Sequence, residues 1–189
     1  MTDAFQVTGA HAPSESIASD SSFLLPAVAI EETGPNGFEL LGLAPELIRA
    51  VADCLDDAAT ITTDVGQHQM WVAQAYPLRR PRQWLTSGGL GTMGFGMPAA
   101  IGAALAEPER TVVCFTGDGS ILMNVQELVT AAEENVNVKI VLMNNSSLGL
   151  VFQQQTMFYG ERIYASKFKG MPDFVRVAEG FGVAAIDLD

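Results

Sequence analysis

A chain of 189 residues, 48% of them apolar, can bury one sizeable core, and its length argues against two full domains. The formal charge of −12, with only 10 Lys and Arg scattered along it, excludes the basic stripe that nucleic acid or an anionic membrane would require. No apolar run of about 18 residues is present to span a bilayer, and Cys54 and Cys114 fit neither a disulfide framework nor zinc spacing, which points to a reduced, cytoplasmic setting.

Residues 1–36 are rich in Ser, Ala, Thr and acid, lack helical or strand periodicity, and run into the turn formers Thr33-Gly34-Pro35-Asn36-Gly37. They read as a disordered leader or linker. The apolar stretch 23–30 is interrupted by Pro26 and preceded by no Lys or Arg, which does not fit a secretory signal. Pro45 then suits the first turn of a helix whose apolar positions Leu47, Ile48, Val51, Ala52 and Leu55 follow helical spacing.

The pattern continues with strand 59–63, helix 67–76, a short strand 83–86 and a helix rich in small residues over 94–106. Strand 111–116, helix 124–134, strand 138–143, helices 148–158 and 172–180, and strand 183–187 complete it. Strands alternating with helices predict an α/β fold over 37–189: a doubly wound, mostly parallel sheet with helices on both faces.

Two strand exits carry the chemistry. Asp118 opens Gly117-Asp118-Gly119-Ser120 after the run Thr111-Val112-Val113-Cys114-Phe115, and Asn144-Asn145 closes the run 138–143. Asn145 follows Asp118 by 27 positions, the separation that strand, helix and parallel strand need to return to the same sheet edge. One carboxylate and one amide at neighbouring tips suit a hard cation such as Mg²⁺. The plain alternative is two ordinary turns, since Gly-Asp-Gly and Asn-Asn-Ser-Ser both favour them. Ser120 and Asn124 are candidate caps for the following helix.

Gly89-x-Gly91-x-x-Gly94 is formally a dinucleotide fingerprint after a strand and before a helix. A strand and helix precede it, however, and the acids that follow, Glu107 and Glu109, lie in a turn before a strand, not at a strand's end. His68, the one histidine outside the leader, stands just past the strand ending at Thr63-Asp64, where it can cap a helix or meet a phosphate. Met93, Met123 and Leu150 are economically core residues, yet each borders these exits, where flexible apolar side chains can support a heterocycle.

With both exits in register, the chain resembles the diphosphate-binding domain of thiamine-diphosphate enzymes. Gly66-Gln67-His68-Gln69-Met70-Trp71, Thr86-Ser87-Gly88-Gly89-Leu90-Gly91-Thr92-Met93-Gly94 and Leu148-Gly149-Leu150-Val151-Phe152-Gln153-Gln154-Gln155 narrow the likeness. They are similar to the large catalytic subunit of bacterial acetolactate synthase (acetohydroxyacid synthase), its isozyme I type in particular. The resemblance implies that Asp118, Asn145 and the Ser147 carbonyl hold Mg²⁺ against the diphosphate, with Gln67, His68, Gly119 and Ser120 on the phosphates beside Gly117. It places the Gly91 carbonyl and Met93 amide at the aminopyrimidine, the Met93 side chain as a wedge under the cofactor, and Met123, Leu150 and Val151 along the thiazolium. Gln154, on the substrate side, stands where many relatives have tryptophan, which weakens the expectation of a strong 2-oxobutyrate preference.

The implied reaction decarboxylates pyruvate and joins the two-carbon unit to a second 2-oxoacid, pyruvate or 2-oxobutyrate, in branched-chain amino-acid biosynthesis. In the family the activating glutamate lies on a separate pyrimidine domain, and FAD on a middle domain; neither is encoded in these 189 residues. The resemblance therefore implies no catalytic residue here, a C-terminally incomplete domain, and a homo-oligomer or a partner chain bringing the pyrimidine domain. Two other readings are a non-catalytic cofactor-binding or assembly module and an NAD-dependent oxidoreductase.

Overall fold

The computed structural model describes residues 3–7 and 40–187. In chain order the elements are β1 (Asp3–Val7), α1 (Leu40–Asp53), β2 (Thr60–Thr63), α2 (Gln67–Ala75), β3 (Trp84–Thr86) and α3 (Gly96–Ala106). There follow β4 (Val112–Gly117), α4 (Asp118–Ile121), α5 (Glu127–Glu133), β5 (Val138–Met143), α6 (Gly149–Phe158), α7 (Phe174–Gly180) and β6 (Ala184–Asp187). Among the described residues the six strands form one sheet in the order β3-β2-β4-β5-β1-β6, and every neighbouring pair is parallel.

A parallel sheet needs cover on both faces, and the central strands β4 and β5 carry apolar side chains on both. Along β4, Val112 and Cys114 face a core shared with Met97, Ala100, Ile101 and Ala104 of α3, Leu128 and Ala131 of α5, and Phe174 and Ala178 of α7. Val113 and Phe115, alternating with them, face Leu47, Ile48 and Val51 of α1 and Trp71 and Val72 of α2. The period-two alternation divides one strand between two cores. The expected doubly wound α/β architecture is present.

Three boundaries differ from the sequence reading. Pro45 lies inside α1, whose helix starts at Leu40, although proline leaves the Leu41 carbonyl without its usual donor. The expected helix 124–134 is α5 alone, and Asp118 instead begins a separate short helix, α4. Of the stretch expected to be a leader, residues 3–7 form β1 between β5 and β6, satisfying a backbone ladder on each side. Residues 8–36 lie outside the described residues.

The order of strands locates the crevice. From β2 the chain steps outward to β3 and then passes back across β2 to β4. The exits of β2 and β4 therefore lead to helices on opposite faces, α2 on one and α4 and α5 on the other. The gap beyond their carboxyl ends is where open α/β sheets bind ligands.

Candidate functional site

Register fixes which residues share this edge. Thr63 stands opposite Phe115, so Asp64 leaves β2 level with Thr116. Gly117 stands opposite Met143, so Asp118 and Asn144 leave β4 and β5 side by side.

The Asp118 carboxylate is 2% exposed. Its Oδ1 accepts the Gly119 N–H at 2.7 Å and its Oδ2 the Ser147 N–H at 3.1 Å. The same Ser147 N–H reaches Asn145 Oδ1 at 3.2 Å, and that oxygen also accepts the Ser147 hydroxyl at 2.9 Å. One backbone N–H thus joins the two proposed metal ligands. Burial pushes the Asp118 carboxyl above the usual carboxylate range, offset in part by the N–H groups of Gly119, Ser147, Asn145 and Ser146. Among the described residues no Lys, Arg or His forms an ion pair with it.

A buried carboxylate without a protein cation is costly, and a bound cation removes that cost. Among the described residues no three His, Cys, Asp or Glu side chains gather into a metal cluster. A cation at this edge would therefore rest on one carboxylate, one amide and main-chain oxygens, a donor set that fits Mg²⁺, which keeps water or phosphate in its other positions.

His68, second in α2, is buried among glycines. A side chain at Gly66 would place its Cβ 2.8 Å from the ring, and one at Gly117 3.1 Å from Nδ1. The ring bonds the Asp64 backbone, while Nε2 is buried with no partner among the described residues. Such orphans are rare in folded proteins and call for an explanation, of which a ligand group is one. Burial holds the imidazole at about 4, below its ordinary 6.5.

That shift has a measurable sign. Below pH 6.5 the unfolded chain takes up a proton on His68 that the folded chain refuses until about pH 4. Stability present above pH 6.5 is then lost as pH falls through this window, by up to roughly 1.4 kcal/mol per pH unit. Asp64 and Asp118, both raised by burial, act in the opposite sense: each adds stability below its unfolded value, lost as pH rises through the folded one. The comparison is therefore of variant against wild type. His68→Gln is expected to flatten the fall in melting temperature over this range, and an unchanged slope would contradict the burial argument.

Gln67 donates through Nε2 to Gln153 Oε1 at 3.1 Å. Gly149, at the start of α6, has room for no side chain: a Cβ there would strike the Gln67 and Asn145 side chains. Ser120 and Asn124 do not cap a following helix as expected. Ser120 Oγ donates to the Val65 carbonyl at 3.3 Å, and Asn124 Nδ2 donates to the Gly94 carbonyl at 2.6 Å. Asn124 thereby ties the Gly89–Gly94 loop to the turn after α4, a tertiary use that its sequence neighbours do not signal.

On the ring side, Gly91 takes a φ of +62° and Gly94 one of +87°, and Met93 between them is half-buried. Met123 meets this loop, because a Cβ on Gly94 would lie 2.8 Å from the Met123 Cβ. Met123 and Val151 are exposed at 54% and 42%, Leu150 is half-buried and Gln154 is exposed. Met123, Val151 and Gln154 thus lie on an open surface, and Met93 and Leu150 at its edge are not fully buried. The Gly94 N–H is already bound to Asp64 Oδ1 at 2.6 Å, so the dinucleotide fingerprint lacks one of its free donors.

Sequence reasoning missed Asp64, Thr116 and Phe168. Thr116 Oγ1 donates to Asp64 Oδ2 at 2.9 Å, deep between β2 and β4. Phe168 backs the Asp118 turn: its ring and Leu148 crowd the position where Gly119 would carry a Cβ. The segment is fastened by Leu148 N–H to the Ser166 carbonyl at 2.8 Å and Phe168 N–H to the Ser146 carbonyl at 2.9 Å. A carboxylate closing a short β-branched strand was the one available signal for Asp64; Phe168 offered none.

Residues 64–189 match the family described as thiamine pyrophosphate enzyme, C-terminal TPP binding domain. The acetolactate synthase isozyme 1 large subunit of Escherichia coli (strain K12) is 65% identical over 143 residues, 76% of this chain and 25% of that protein. The acetolactate synthase large subunit of Lactococcus lactis subsp. lactis (strain IL1403) is 50% identical over 144 residues, 76% of this chain and 25% of that protein. A probable acetolactate synthase large subunit of Methanococcus aeolicus is 49% identical over 144 residues, 76% and 24% of the two chains. The chain spans about a quarter of the length of these relatives.

Proposed function

The chain belongs to the thiamine pyrophosphate enzymes, carrying their C-terminal TPP binding domain, and on that premise we propose that it is the cofactor-binding portion of an acetolactate synthase large subunit. The observation that carries this reading is the buried Asp118 carboxylate, which has no cationic partner among the described residues and shares the Ser147 N–H with Asn145. Asp118, Asn145 and the Ser147 carbonyl hold Mg²⁺; Gln67, His68, Gly119 and Ser120 meet the diphosphate. The partnerless Nε2 of His68 and the glycine-lined approach at Gly66 and Gly117 support the phosphate side. Gly91 and Met93 orient the aminopyrimidine, and Met123, Leu150 and Val151 line the thiazolium, with Gln154 toward the substrate.

Thiamine diphosphate supplies the carbanion-stabilising chemistry for joining two 2-oxoacids with loss of CO₂. The chain's own residues bind, orient and polarise it. The exposed Met123, Val151 and Leu90 leave the ring side open, which supports closure by a pyrimidine domain on a partner chain or a second copy. In this assignment the chain works in the cytoplasm within an oligomer, residues 37–189 form the cofactor domain, and FAD belongs to another domain.

Calorimetry of the 189-residue chain with thiamine diphosphate and Mg²⁺, beside NAD, tests the reading. Binding of the first pair and not of NAD is expected, and the reverse would overturn it. With pyruvate added, the chain alone is expected to yield no acetolactate; product would contradict the placement of the activating glutamate on another domain.

A further inference from the structure

Asp64 is 1% exposed at the end of β2, where its backbone bonds the His68 ring, while its carboxylate bonds Gly94 and Thr116, neither of them assigned to the cofactor. Its two oxygens do different work. Oδ1 accepts the Gly94 N–H at 2.6 Å, and Oδ2 accepts the Thr116 hydroxyl at 2.9 Å. The N–H groups of Phe95 and Gly96 reach the same carboxylate. The N–H groups of Gly94, Phe95 and Gly96 all come from the start of α3, where a negative charge suits the helix dipole.

The positions of those partners give the carboxylate its meaning. Gly94 directly follows Met93 and closes the loop assigned to the cofactor's ring; its carbonyl is held in turn by Asn124 Nδ2 at 2.6 Å. Thr116 precedes by two residues the Asp118 assigned to the cation. The bonds span 30 and 52 positions of sequence, so a single buried group joins two segments that are distant along the chain. With a φ of +87° and side-chain grips on both its N–H and its carbonyl, Gly94 has one position relative to the strand tips.

We propose that Asp64 is a positioning residue that, through Gly94 and Thr116 and with Asn124 opposing it, sets the distance between the ring-binding loop and the diphosphate clamp. The inference rests on the cofactor assignment above. Its physical content is that the two halves of one ligand are bound by two separately folded segments, and their spacing must match the ligand's length. Interactions held within tenths of an ångström depend on such second contacts.

The test separates the halves of the ligand. The full chain, wild type, Asp64→Asn and Asn124→Ala, is titrated calorimetrically with thiamine diphosphate plus Mg²⁺ and, separately, with inorganic pyrophosphate plus Mg²⁺. Thiamine diphosphate binding is expected to weaken roughly tenfold or more in both variants, the size of one lost charged or buried hydrogen bond, while pyrophosphate affinity stays within about twofold of wild type. Should Asp64→Asn fail to melt cooperatively, Asn124→Ala carries the comparison, since it loosens Gly94 from the other side. Equal losses for both ligands would mean that Asp64 merely supports the edge as a whole, and no loss for either would mean that the loop needs no latch; each overturns the inference. A wild-type chain that binds neither ligand overturns the cofactor assignment itself, a different and recognisable failure.

Discussion

Asp118→Ala is expected to abolish the Mg²⁺-dependent part of thiamine diphosphate binding, a loss of at least about 100-fold, or roughly 3 kcal/mol. Asn145 contributes an amide and Ser147 a carbonyl, so the carboxylate is the only formally charged group among the three proposed ligands. Its removal leaves a doubly charged ion facing neutral dipoles in a crevice where the wild-type carboxylate is 2% exposed. Asp118→Asn gives the sharper form of the test. The amide keeps the shape and an acceptor for one of the two N–H groups, of Gly119 or Ser147, and it sheds the charge whose burial is unfavourable. Apo Asp118→Asn is therefore expected to melt at or above the wild-type temperature while losing Mg²⁺ dependence, the pattern of a residue kept for function at some cost in stability. Titrations of each variant with and without Mg²⁺ decide it: affinity within twofold of wild type would refute the ligand assignment.

Strands that are mostly apolar and end in a polar turn are legible in the sequence alone. β4 and β5 fall within one residue of their expected bounds, because their mostly buried residues leave a mainly apolar run, interrupted in β5 by Lys139, and Gly117-Asp118-Gly119 and Asn144-Asn145 end it. Their adjacency follows from the spacing. What local pattern does not carry is long-range pairing. β1 gains both its ladders from strands more than a hundred residues away, and nothing in its five residues announces that. Pro45 suits a first turn because its missing N–H is harmless there, whereas the helix extends past it toward Leu40. At the site, side chains named by motif come to one edge, yet the groups that hold this edge in shape carry no motif. Asp64 resembles any strand exit until Thr116 and Gly94 are seen against it, and Asn124 resembles a cap although its amide sits on a distant carbonyl.

Gly96→Ala and Gly102→Ala, six residues apart on α3, are expected to move stability in opposite directions. By propensity alone both should stabilise, since alanine is favoured over glycine inside a helix by about 1 kcal/mol. Gly102 lies mid-helix and exposed, with nothing within 4 Å of an added Cβ, so that gain is realised there. Gly96 is the first residue of the helix, where the propensity gain is smallest. An added Cβ there would sit 2.7 Å from the Asp64 backbone N and 2.9 Å from both the Asp64 Oδ2 and the Thr63 carbonyl carbon. Two of those atoms are backbone at the end of a buried strand and cannot swing aside. The strain is expected to outweigh propensity and to cost about 3 kcal/mol, the upper part of the range for overpacked cores. For a chain of this size that corresponds to a fall in melting temperature of roughly 6–12 °C, against a rise of about 2–4 °C for Gly102→Ala. Thermal melts of the apo chain read both. A Gly96→Ala protein as stable as wild type would mean that α3 does not abut the end of β2 this closely, and the grip of Asp64 on the helix start would fall with it.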